Sequence, residues 1–179
     1  MLKIIEQVKK ISTKQDYSPQ EKIKDVKIVE IKRFVGEDGA FNEVVRAEKG
    51  KVTSPEEFKG FEIKQINHSV VVPGTVKAWH FHYFQDEIWF IHPEGKLIVG
   101  LLDIRKESPT TGKKMRLVLG DGKAYLLFIP RGVAHGLANP YSRPAAMTYL
   151  VNNWFDGSDE WRLPWNYQVE DDFWQIKKG

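Results

Sequence analysis

No stretch between residues 41 and 151 keeps a helical period. Short runs rich in Val, Ile, Leu and aromatics recur instead. Turn signals end them at Gly36-Glu37-Asp38-Gly39, Pro93-Glu94-Gly95, Gly120-Asp121-Gly122 and Asn139-Pro140. The runs place strands at 25–35, 41–47, 61–72, 75–83, 87–92, 96–104, 115–119, 124–130 and 145–151. Eight or more strands at this spacing predict an all-β domain, a sandwich or barrel of the jelly-roll kind. Ahead of them, Ile4, Ile5, Val8 and Ile11 recur at helical spacing, which predicts a short amphipathic helix followed by a polar linker through Tyr17-Ser18-Pro19. The chain therefore divides into an N-terminal helical arm, 1–20, and one β domain, 21–179. Four of the six tryptophans fall in the last stretch (Trp154, Trp161, Trp165, Trp174) and are expected to cross the outside of a sheet or to fill a dimer seam.

Charge and composition remove several function classes. Residues 1–33 carry nine Lys/Arg against five Asp/Glu, whereas the remainder balances at eighteen against nineteen. The basic excess lies in this N-terminal segment, read as solvated lysines, while the body is neutral, so no nucleic-acid partner is expected. There is no cysteine, which excludes disulfides, a thiol nucleophile and every thiolate-bound metal. No apolar run approaches the roughly 20 residues that cross a bilayer, and Met1-Leu2-Lys3-Ile4-Ile5-Glu6 is too short and polar for a signal peptide. A cytoplasmic protein without a membrane partner is the expectation.

The chemistry-bearing stretch is Gly74-Thr75-Val76-Lys77-Ala78-Trp79-His80-Phe81-His82. Alternate side chains of a strand share a face, which aligns Val76, Ala78, His80 and His82. Single histidines such as His68 and His92 read as structural. Two imidazoles on one face demand buried partners and point to a pocket inside the barrel. A third histidine, His135, follows in Ile129-Pro130-Arg131-Gly132-Val133-Ala134-His135-Gly136.

These motifs resemble the cupin superfamily: Gly74, His80, His82 and Glu87 at one site, then Pro130, Gly132, His135 and Asn139 at the other. The resemblance implies a cupin-type jelly-roll barrel. Over residues 34–174 the chain more narrowly resembles the dTDP-4-dehydrorhamnose 3,5-epimerase family. The matching pieces are Gln65-Ile66-Asn67-His68-Ser69, Gly74–His80, Gly95-Lys96-Leu97, Leu102–Gly112 with its Ser108-Pro109-Thr110 run, Ile129–Gly136 and Met147-Thr148-Tyr149-Leu150.

Carried over, the resemblance makes His80 the catalytic base and Tyr149 the catalytic acid. It sets Lys96 near the keto oxygen, and Gln65, Asn67 and His135 in the pocket lining. Lys77 stands for an arginine facing phosphate. Phe41 and Glu43 match residues that meet the nucleotide base from the neighbouring subunit, which implies a homodimer. His82, where the family often has glutamine, becomes a substrate contact. Two departures stand out: Asp38 replaces an arginine that grips the diphosphate, and no obvious residue matches the carboxylate behind the base.

The implied reaction is epimerisation of a nucleotide-linked 4-keto-6-deoxy sugar. The ketone acidifies C3 and C5, a histidine removes a proton from one face and a tyrosine returns one to the other, without cofactor. Alternatives from the same residues are a nucleotide-sugar 3,4-ketoisomerase, a metal-dependent cupin holding one divalent first-row transition metal on His80, His82, Glu87 and His135, and a sugar-binding cupin without turnover.

Overall fold

The computed structural model describes residues 3–14 and 21–177. Fourteen strands are formed among them: β1 Lys27–Ile31, β2 Arg33–Gly36, β3 Gly39–Asn42, β4 Arg46–Glu48, β5 Lys51–Ser54, β6 Gln65–Val71, β7 Thr75–Phe81, β8 Glu87–Ile91, β9 Lys96–Asp103, β10 Lys114–Gly120, β11 Ala124–Ile129, β12 Val133–Asn139, β13 Ala145–Val151 and β14 Trp161–Arg162. One helix, α1 Glu6–Ile11, precedes them, with Ile5, Val8 and Ile11 exposed. It is shorter than expected, because its N-cap residue, Ile5, has no side chain to bond the first free N–H groups. The linker through Tyr17-Ser18-Pro19 lies outside the described residues.

Two five-stranded antiparallel sheets face each other, ordered β1-β11-β8-β13-β6 and β10-β9-β12-β7-β14. This is the predicted jelly roll. Between the sheets lies an apolar core that includes Trp89, Ile91, Leu97, Val99, Leu101 and Leu127. Each sheet is also covered outside. The β4–β5 hairpin and the segment around Phe58 and Phe61 close over Ile88, Phe90 and Leu126. The C-terminal segment closes over Trp79, Ile98 and Leu102. Burial on both faces explains why β8, β9 and β12 are buried at nearly every position and lack polar alternation.

Three expectations need correction. The runs 25–35 and 41–47 are each two pieces: β1 ends at Ile31 and β2 starts at Arg33 in a separate hairpin sheet, and β3 ends at Asn42 while β4 starts at Arg46. β12 was not among the expected strands, yet it is a central, fully buried strand that ends at the expected Asn139-Pro140 turn. The tryptophan tail does cover a sheet, but only Trp174 is buried, beside Phe173, while Trp154, Trp161 and Trp165 stay exposed. The Trp174 ring lies over Gly100 so closely that a Cβ there would collide with it and with Phe173. The glycine makes the tail's seat.

Candidate active site

A cavity of about 560 Å³ opens between the sheets. β7 supplies Val76, Lys77, Ala78 and His80, and His82 follows directly after it. β6 supplies Gln65, Asn67 and Ser69 from the facing sheet, β13 supplies Tyr149, and His135 comes from β12. The expected alternation holds at His80 and His82, while Trp79 and Phe81 point away into the tail-covered layer. Opposite them β12 offers Gly136. A Cβ on it would sit 2.9 Å from the Ala78 Cα, and the β7–β12 register shifts at this point. The bulge brings Lys77 and Ala78 both to the cavity.

His80 and His135 are register partners, with rings stacked 6.4 Å apart at 15°. The Nδ1 of His80 faces Glu160 Oε2 at 3.9 Å. Burial lowers the His80 pKa to about 4, aided by the nearby His135 and Arg162, and Glu160 only partly offsets this. The ring is therefore neutral at physiological pH. Tyr149 is shifted the other way: burial, then the negative charges of Glu87 and Glu160, raise its pKa, so the phenol keeps its proton. The two side chains stand on opposite sheets and line the same cavity.

Below them lies a buried polar cluster. His82 Nε2 stands 3.2 Å from Glu87 Oε1, and His135 Nε2 stands 3.8 Å from Glu87 Oε2. His82 Nδ1 donates to the Asp159 carbonyl at 2.7 Å, and His135 Nδ1 donates to the Val133 carbonyl at 3.1 Å. The Gln85 amide donates to Glu87 Oε1 at 2.7 Å, and the Trp89 indole N–H donates to Oε2. Burial disfavours the Glu87 carboxylate, but the two histidines and these donors outweigh it and lower its pKa. Burial likewise opposes charge on His82, yet Glu87 wins and raises that pKa; at His135 burial prevails and lowers it. Of the four ligands weighed for a metal, the donor atoms of His82, Glu87 and His135 lie within 4.8 Å of one another, and His80 is not in the group. Two imidazoles and a carboxylate are a donor set that fits a first-row divalent cation. Such an ion, when bound, supplies positive charge that stabilises a nearby oxyanion.

The remaining expected residues separate. Gln65 and Asn67 line the cavity, bonded to each other at 2.7 Å. Lys77 lines it too, its Nζ 3.3 Å from Ser69 Oγ. Lys96 does not: it opens β9 and pairs with Asp121 at 2.8 Å, with its ammonium over Tyr141. Phe41 and Glu43 also lie away from this chain's cavity, Phe41 at 62% exposure and Glu43 paired with Arg46. His68 and His92 lie outside the cavity lining, their rings 5.5 Å apart and tilted by 51°.

Sequence reasoning missed Glu160 and Arg162. Both line the cavity from β14 and its preceding residue, alternating with Trp161, which stacks on Phe81. A two-residue strand leaves no pattern long enough to read, although the alternation acid, aromatic, base is there. Asp159 was missed as well. Its carboxylate accepts from the backbone N–H groups of Tyr83 (2.8 Å) and Phe84 (3.0 Å), tying this segment to the end of β7.

Comparison with known proteins agrees with this layout. The family model described as dTDP-4-dehydrorhamnose 3,5-epimerase matches residues 20–175. The spore coat polysaccharide biosynthesis protein SpsL of Bacillus subtilis (strain 168) is 34% identical, over 80% of this chain and 91% of its own length. The dTDP-4-dehydrorhamnose 3,5-epimerase of Shigella flexneri is 31% identical, over 87% and 84%. The crystal structure of a dTDP sugar isomerase from Desulfovibrio desulfuricans G20 superposes with a TM-score of 0.71 at 25% identity, covering 87% of this chain and 91% of that one. The chain, a jelly roll with a two-sided polar cavity, belongs to the dTDP-4-dehydrorhamnose 3,5-epimerase family of isomerases.

Proposed function

We propose that this sugar epimerase acts on a nucleotide-linked 4-keto-6-deoxy sugar, inverting C3, C5 or both, with His80 as base and Tyr149 as acid. The observation that supports the reading best is their opposition: a neutral imidazole on one sheet and a protonated phenol on the other, lining one cavity. His80 breaks the C–H bond beside the ketone and takes the proton. The electron pair moves onto the keto oxygen as an enolate. Tyr149 then gives its proton to the opposite face of the same carbon, and solvent restores both groups.

Glu160 faces His80 Nδ1, so it orients the ring with Nε2 toward substrate and stabilises the imidazolium once it forms. It takes the part of the carboxylate for which the sequence showed no match. Arg162, the register partner of His80 across β14–β7, brings positive charge to the region where the enolate develops. Lys77 is left for the phosphates. Phe41 and Glu43 fit a role only in a partner's cavity, and the exposed Phe34 and Phe41 of the β2–β3 hairpin support the homodimer.

The test is NMR in deuterium oxide on a panel of nucleoside-diphosphate 4-keto-6-deoxyhexoses. Deuterium entering at C3 or C5 together with inversion there is the expected result. No exchange with any member contradicts the reading, and migration of the carbonyl to C3 replaces it with the ketoisomerase.

A further inference from the structure

We propose that α1, with the residues that flank it, lies flat on an anionic lipid surface and tethers the epimerase there. This departs from the expectation of no membrane partner and does not depend on the identity of the sugar.

The helix has an apolar face that nothing in its own chain covers among the described residues. Val8 and Ile11 stand one turn apart on α1, and Ile5 and Ile4 precede Val8 by three and four residues, so one face carries all four. Glu6, Lys9 and Lys10 take the other side. Every residue from 3 to 14 is exposed, Ile5 at 73% and Ile11 at 78%. The hydrogen bonds described for the segment close within it. The N–H groups of Val8 and Lys9 donate to the Ile5 carbonyl, that of Ser12 to the Val8 carbonyl, and Lys9 Nζ to Glu6. A helix of six residues is too short to hold itself in water, so a surface that buries the four apolar side chains is what stabilises it.

Charge selects the occupant. Residues 1–14 carry four lysines against one glutamate, and only Lys9 has an acidic partner among the described residues, Glu6 at 2.5 Å. Lys3, Lys10 and Lys14 are left to meet phosphate headgroups while their aliphatic stems run along the apolar face. Each lysine beside an anionic leaflet strengthens attachment about fivefold. The barrel has no net acidic charge to draw the arm onto it, since its basic and acidic side chains balance. A second copy answers no better. Two such arms bring eight lysines together against two glutamates, and α1 falls far short of the three or four heptads that hold a coiled coil. It is also far shorter than the roughly 20 apolar residues of a membrane span, so the arm lies on the surface and does not cross it.

The test is co-sedimentation of the full-length protein with large unilamellar vesicles. One set is phosphatidylcholine alone, and the other is phosphatidylcholine and phosphatidylglycerol in equal parts. Pelleting with the anionic set is expected to be at least about tenfold tighter than with the neutral set, to weaken as salt rises, and to bring a gain in helical circular dichroism. Ile5→Asp combined with Ile11→Asp, and separately Lys10→Glu combined with Lys14→Glu, should each weaken pelleting at least about tenfold. Lys106→Glu, a charge change on the barrel, should leave it unchanged. All of these side chains are exposed, so thermal melts without lipid should match wild type. The proposal is overturned if anionic vesicles pellet no protein, if the double isoleucine variant pellets as wild type does, or if Lys106→Glu loses as much as the double lysine variant. It is overturned as well if the double isoleucine variant falls to a smaller mass in sedimentation velocity without lipid, which gives the helix face to a second copy of the chain.

Discussion

His80 and His135 lie directly opposite each other in the β7–β12 ladder, yet they face different partners. His80 turns to Glu160 and the open cavity, while His135 turns down to Glu87. One strand pair thus faces two environments: the open cavity beside Glu160 and a buried nitrogen–carboxylate cluster around Glu87.

Glu160 should matter through His80. Glu160→Gln is expected to lower kcat about tenfold with little change in KM, and Glu160→Asp to recover part of it. Steady-state kinetics with solvent-deuterium exchange checks this. An unchanged exchange rate in Glu160→Gln would show that the carboxylate does not support the base.

The tail is a structural lid on the second sheet. Trp174→Ala removes a buried indole from the layer formed with Trp79 and Phe173 and should cost about 3–5 kcal/mol. Gly100→Ala should destabilise through the same contact. Urea unfolding of both variants measures it. Losses below about 1 kcal/mol for Trp174→Ala would mean that the tail is not packed there.

Acid stability should report on Asp103. Burial works against its carboxylate, but Arg105, Ser108 and Thr110 donate to it at 2.6–2.9 Å and hold its pKa well below the usual range. A depressed folded pKa gives stability that is complete above the unfolded carboxylate range and is lost as pH falls below it. Asp103→Asn should therefore be less stable at pH 7 and show a flatter decline below pH ~4 than wild type. Parallel declines in thermal melts across pH would assign the acid limb to other groups.

The two-sheet architecture was legible because turn signals and apolar runs alternate so regularly, and His80, His82 and His135 were legible because strand parity puts the first two on one face. β12 was not, since glycines and alanines that permit close strand approach look like loop residues. Glu160 and Arg162 were not, because their positions depend on a fold-back from beyond residue 152 onto β7. Lys96 was set beside the keto oxygen by its neighbours in sequence. It opens β9 outside the cavity lining, where it pairs with Asp121.

The homodimer has a direct test. Sedimentation velocity at micromolar concentration should give the mass of two chains, and Phe41→Asp should shift it toward one. A monomer in wild type would remove Phe41 and Glu43 from the account.

The division of labour between His80 and Tyr149 is the central claim, and stereochemical partitioning of the two variants tests it most directly. Each is incubated with the turned-over 4-keto sugar in deuterium oxide, and exchange and inversion are read separately by NMR. His80→Asn is expected to show neither. Tyr149→Phe is expected to retain exchange at the acidified carbon while losing inversion, because deprotonation survives and opposite-face return does not. Exchange at the wild-type rate in His80→Asn, or full inversion in Tyr149→Phe, would contradict it.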